Sequence, residues 1–108
     1  MIISASSIIG DSVKNSKGED LGKIEELMID TTNGVVTYAV VSFGGFLGMG
    51  DKLFAIPLQQ MSLNTEKKCL ILDVPKEKLE NAPGFDKDNW PRAADDAWHK
   101  SVSTYYSR

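Results

Sequence analysis

Apolar and polar positions alternate through most of the chain up to residue 74, and turn residues interrupt the alternation at short intervals. Ser6-Ser7-Ile8-Ile9-Gly10 reads as a short turn or helical start, and Val13 opens a brief strand. Asn15-Ser16-Lys17-Gly18-Glu19 is a turn, because Asn and Gly tolerate positive φ. Residues 21–30 follow as a strand whose alternation slips. Ile24 fits one phase, while Leu27 and Ile29 fit the other. One extra residue at the Glu25-Glu26 pair produces such a slip, so a β-bulge is expected there. The competing reading, a short amphipathic helix, rests on the helix propensity of Glu, Leu and Met.

Thr31-Thr32-Asn33-Gly34 then supplies an Asn-Gly turn between two apolar runs, a strong hairpin signal. The strand that follows, residues 35–43, is apolar on both faces: Val36, Tyr38 and Val40 on one, Val35, Ala39, Val41 and Phe43 on the other. It is therefore expected to be central and covered on both sides. Val36, Val40, Val41, Leu70 and Leu72 are expected in the core. Residues 52–56 form a strand stopped by Pro57. Met61 and Leu63 lead to a turn over residues 64–68, and residues 69–74 form another strand with Leu70, Leu72 and Val74 on one face. Between the two strongest strand signals lies Gly44-Gly45-Phe46-Leu47-Gly48-Met49-Gly50. Glycines alternating with large apolar residues in a connection suggest a contact loop presenting Phe46, Leu47 and Met49, with a folded-back barrel cap as the competing reading.

The pattern changes after residue 74. Residues 75–81 read as one or two helical turns with Pro75 at the start. Residues 82–91 are irregular, since Pro83 and Pro91 forbid a regular element, but Phe85 and Trp90 can anchor the segment. From Ala94 onward, Ala97, Trp98, Ser101, Val102 and Tyr105 recur at helical spacing. So short a helix is marginal alone and must dock. The core of residues 5–91 does not need it, so Trp98, Val102 and Tyr105 are expected to meet a second copy in a symmetric dimer. Short strands, tight turns and no crossover helices give an all-β antiparallel meander, which closes most naturally into a small barrel.

A chain of 108 residues is most simply one domain, burying roughly 60–70% of its unfolded surface. The net charge of −3 argues against a general nucleic-acid binder, which needs concentrated positive charge. Cys69 is the only cysteine, so no internal disulfide can form, which suits a reducing compartment. No signal-peptide pattern stands at the start, and no run approaches the ~18–20 apolar residues of a membrane span. A cytoplasmic location is expected.

Catalytic and ligand-binding patterns were sought with the same chemistry in mind. His99 is the only histidine, and with Cys69 thirty residues away it matches no zinc spacing. Asp86-Lys87-Asp88-Asn89 opens like a calcium loop, but Trp90 and Pro91 follow where the loop must continue. The glycines of 44–50 lead into a strand rather than a helix, so no helix N-terminus awaits a phosphate. Tyr38, Trp90, Trp98, Tyr105 and Tyr106 lack the flanking Lys and Arg of a base-stacking platform. Lys14, Lys17 and Lys23 read as a solvated face. No catalytic residue, metal or cofactor is expected, and the chain is expected not to be an enzyme; an enzyme using Cys69 or Asp51 would need convergent polar groups.

The chain resembles the PRC-barrel domain family. The resemblance is carried by Val13, Asn15 and Gly18, by Leu21-Gly22-Lys23-Ile24, and by Ile29-Asp30 and Gly34. It continues through Tyr38 to Lys52, Phe54-Ala55-Ile56-Pro57, Ala82-Pro83-Gly84-Phe85 and Trp90-Pro91. It implies a partly open meander barrel over residues 1–91, followed by a helical tail, residues 92–108. The family includes the cytoplasmic part of the photosynthetic reaction-centre H subunit, the C-terminal half of a ribosome small-subunit maturation factor, and stand-alone bacterial and archaeal proteins. The stand-alone bacterial type, with its Trp and Tyr-Tyr tail, is the nearest in pattern. The resemblance implies protein–protein contact rather than catalysis. The expected role is a homodimeric adaptor or scaffold module with a further protein partner. The alternatives are an RNA- or ribosome-associated assembly factor and a photosynthesis-related accessory protein.

Overall fold

The computed structural model describes residues 2–43, 52–64, 66–80, 100, 102 and 104–106. After a 3-10 turn, Ala5–Ser7, come β1 (Ser12–Lys14), β2 (Asp20–Asp30), β3 (Val35–Phe43) and β4 (Lys52–Pro57). A second 3-10 turn, Leu58–Gln60, leads to β5 (Met61–Asn64), β6 (Cys69–Leu72) and a short helix α1 (Lys76–Glu80). All six strands form one sheet in the order β4-β3-β2-β1-β6-β5. The two edge strands, β4 and β5, are consecutive in the chain, so the sheet curls into a half-barrel. The first three pairings are the expected antiparallel meander. The meander expectation needs one amendment: β6 lies parallel to β1, with Val13 opposite Leu70. The chain has travelled round the barrel before returning to its first strand, and that journey reverses the expected direction.

The bulge falls where the phase slip put it. Ile24 pairs with Val41 and Glu26 with Val40, leaving Glu25 as the extra residue. Glu25 and Glu26 face solvent, while Ile24 is buried. A second register shift skips Thr37, since Met28 pairs with Tyr38 but Ile29 with Val36. The Asn-Gly turn is a four-residue loop rather than a two-residue one. The Gly34 amide donates to the Asp30 carbonyl at 2.8 Å, and only Gly34 takes positive φ, at 68°. The Asp30 carboxylate holds the loop by accepting from the Thr32 amide and the Asn33 side chain.

Leu21, Ile24, Val41, Phe54, Ile56, Leu70 and Leu72 fill the core, and Val40 on β3 is fully buried as well. Val36 is a correction: it is 38% exposed rather than in the core. Its neighbours explain why. β1 pairs with β2 only from Asp20 to Lys23, and β4 pairs with β3 only from Tyr38 to Phe43. Beyond Met28 and Tyr38 the β2–β3 hairpin has no flanking strand, so apolar character there cannot ensure burial. Leu79, on α1, is fully buried and joins the same core.

Asn15, expected as a turn former, is a buried clasp. Its Oδ1 accepts from the Lys17 and Glu19 amides, and its Nδ2 donates to the Glu19 carboxylate and the Val74 carbonyl. Nearby, the Ser16 hydroxyl donates to Asp73 at 2.6 Å. These bonds tie the β1–β2 turn to the segment leaving β6. Asn15→Ala is expected to cost about 2–3 kcal/mol, because it strands several polar groups at a buried site. Urea denaturation checks this; a loss below about 0.5 kcal/mol would show that the turn holds without the clasp.

Candidate contact surface

The hairpin end beyond the sheet forms a two-stranded arm. Ile29 is 62% exposed, Val35 52% and Val36 38%. Ile29 and Val36 are direct cross-strand partners, so both lie on one face of the arm. Such pairs normally face a core; here they face solvent on a backbone made rigid by its ladder and by the Asp30-clamped loop. The signal was present in the sequence as the Asn-Gly tip, since a hairpin tip is where flanking strands end. The reading of residues 35–43 as covered throughout obscured it.

A cleft of about 300 Å³ lies beside β5, lined among the described residues by Ile3, Ile8, Leu58, Met61, Leu63 and Leu70. The register sets Pro57 beside Tyr38, one pair below the arm, so the 3-10 turn that follows stands close to the arm's base. Leu58 in that turn thus forms the cleft wall nearest the arm. Ile3 is 43% exposed, and the fully exposed Ile2 precedes it.

The expected contact residues have different fates. Phe46, Leu47, Met49 and Trp98 lie outside the described residues. Val102 and Tyr105 are described, within a helical stretch with Lys100, Thr104 and Tyr106. Docking of these two on a second copy is corrected. Val102 is fully buried within its own chain and belongs to the core cluster that contains Leu72 and Leu79. Tyr105 packs against that cluster, donates its hydroxyl to the Lys78 carbonyl at 2.5 Å, and has the Lys78 ammonium 5.5 Å from its ring centre. The physical reason is the residual apolar seat around Leu79, which the strands alone do not fill.

Tyr106, passed over as a docking residue, is the tail's other buried anchor at 3% exposed. Its hydroxyl is buried with no hydrogen-bond partner, and that burial, with Tyr105 beside it, pushes its pKa well above the ordinary tyrosine value. At the barrel end from which residues 44–50 depart, Phe43 meets Phe54 edge-on at 6.4 Å. The ammonium groups of Lys76 and Lys52 stand over these two rings, at 5.7 and 5.5 Å from the respective centres.

Of the residues considered for chemistry, Cys69 is a free thiol buried in β6, while Asp51 and His99 lie outside the described residues. Among the described residues, no group of three or more His, Cys, Asp or Glu is placed to hold a metal ion. Likewise among them, no helix is long and apolar enough to cross a membrane.

No curated protein matches the chain. The family profile of the PRC-barrel domain matches residues 1–79, which takes in all six strands and most of α1. With a match over most of its length and a curled six-stranded sheet to fit it, the chain belongs to the PRC-barrel domain family.

Proposed function

We propose that this protein is a non-catalytic contact module whose barrel presents the β2–β3 arm to a protein partner. The observation that carries the reading is the exposed set Ile29, Val35 and Val36 on a rigid hairpin with no flanking strand. Partly exposed aliphatic side chains on an ordered arm can be buried by a partner with little backbone ordering cost. Magnitudes limit what the arm does alone. Full burial of an aliphatic side chain is worth about 1.5–3 kcal/mol, and these three already have part of that. Association costs about 4–15 kcal/mol, so the arm is one anchor of a larger contact, with the cleft beside Leu58 as the adjoining one. The same arithmetic makes a homodimer held by the arms alone weak. The free, buried Cys69 accords with a reducing compartment, and we place the protein in the cytoplasm.

The test is capture from native lysate, with and without nuclease, by wild-type protein and by Ile29→Lys/Val36→Lys. The double variant is expected to stay folded, because both positions face solvent, and to lose most of a nuclease-resistant protein partner. Nuclease-sensitive capture would favour an RNA-associated role instead. Equal capture by both proteins would remove the arm from the contact. Sedimentation of the same samples checks self-association.

A further inference from the structure

The family match ends at residue 79, yet Val102 and Tyr106 sit in the same buried cluster as Leu79 and the strands. The barrel therefore carries an apolar seat that its family-matched part leaves to be filled by a helix from elsewhere in the chain. We propose that this seat is a helix-accepting site, and that the C-terminal helix occupies it as a built-in stand-in for a partner's amphipathic helix. That helix would carry the same spacing, Val-x-x-Tyr followed by an aromatic, with phenylalanine in the place of Tyr106. The proposal rests on the contact-module reading but uses a different face from the arm.

Three features define the seat and its preferred occupant. The seat takes a β-branched side chain at one position and an aromatic four residues later, as Val102 and Tyr106 show by their burial. Its rim offers a carbonyl acceptor and a cation from one residue: Lys78 takes the Tyr105 hydroxyl on its carbonyl and lays its ammonium over the Tyr105 ring. A tyrosine at the intermediate position, three after the valine, is therefore specified by a hydrogen bond. The innermost position is the reverse case. The Tyr106 hydroxyl is buried with no partner, so docking strips its water and returns nothing. Phenylalanine would fill the same space without that loss. The chain's own helix is thus a complementary but imperfect ligand, held chiefly because it is tethered. Tethering supplies an effective concentration in the millimolar range, which a better-fitting free helix can overcome. Recognition of this kind is the helix-in-groove mode, read through anchors three and four residues apart.

The experiment uses the full-length protein. Amide exchange at residues 100–106 is measured for wild type and Tyr106→Phe. Opening of the tail is expected to be about tenfold rarer in the variant, with exchange in β2 and β3 unchanged, since removing a buried unpaired hydroxyl favours the docked state. Synthetic peptides of residues 94–108, with and without the Tyr106→Phe change, are then titrated into wild-type protein. Both are expected to bind, the Phe form about tenfold tighter, and bound peptide should speed exchange at residues 100–106 while sparing the sheet. Failure of both peptides to bind by ~1 mM overturns the proposal, as that is the range at which a tethered helix is outcompeted. So does equal affinity of the two, binding that leaves tail exchange unchanged, or tail exchange that only follows global unfolding. Peptide binding involves no lysate partner and no arm residue. Its outcome is therefore separate from that of the Ile29→Lys/Val36→Lys capture.

Discussion

Gly22→Ala is expected to abolish the fold, at a cost of about 4 kcal/mol or more, while Gly34→Ala costs about 1 kcal/mol. Both glycines have positive φ, +123° and +68°, so conformational strain alone would rank them alike. Space separates them. A Cβ on Gly22 would lie 2.1 Å from the Ser42 carbonyl oxygen and 3.0 Å from its carbon. The obstacle is backbone of β3, next to the Lys23–Ser42 pair, and cannot rotate aside. A Cβ on Gly34 meets nothing within 4 Å. With a total stability of roughly 5–15 kcal/mol for a domain, the first loss leaves little folded protein and the second leaves a normal one. Thermal unfolding of the two variants in parallel checks this; equal melting temperatures would mean that β2 and β3 can separate at Gly22 without cost.

Val40→Asp is expected to cost on the order of 4 kcal/mol, and Val36→Asp under about 1 kcal/mol. The two valines are four residues apart on the same strand, yet Val40 is fully buried and Val36 is 38% exposed. A carboxylate at residue 40 must either ionise in apolar surroundings or be held protonated, and both are unfavourable. At residue 36 it reaches water at once. Urea midpoints of the pair measure the difference directly; a Val40→Asp protein as stable as Val36→Asp would place the buried centre of the sheet elsewhere.

Much of the sheet was legible because local chemistry sufficed. The Glu25-Glu26 slip predicted the bulge, and Asn33-Gly34 predicted the hairpin. What local patterns could not supply was which strands stop first. The exposure of Val36 depends on the ends of β1 and β4, a fact of pairing rather than of residue type. The parallel contact of β6 with β1 has the same origin, since it joins residues far apart in the chain. Gly22 stood inside the motif that carried the family resemblance, but its reason, a close approach to Ser42, appears only in three dimensions. The tail's helical face was legible in Val102 and Tyr105; its destination was not, because helical spacing identifies an apolar face and leaves open what covers it. The interaction loop expected at Phe46, Leu47 and Met49 lies outside the described residues, so the arm carries the contact reading on its own observations.

The most direct test of that reading is site-specific photo-crosslinking in cells. A photoreactive residue is placed at 29 or 36 on the arm, and at 67 as an exposed control on the β5–β6 turn. The contact-module account predicts discrete, nuclease-resistant protein adducts from positions 29 and 36 and none from 67. Adducts to nucleic acid, or the same protein adducts from all three positions, would contradict it.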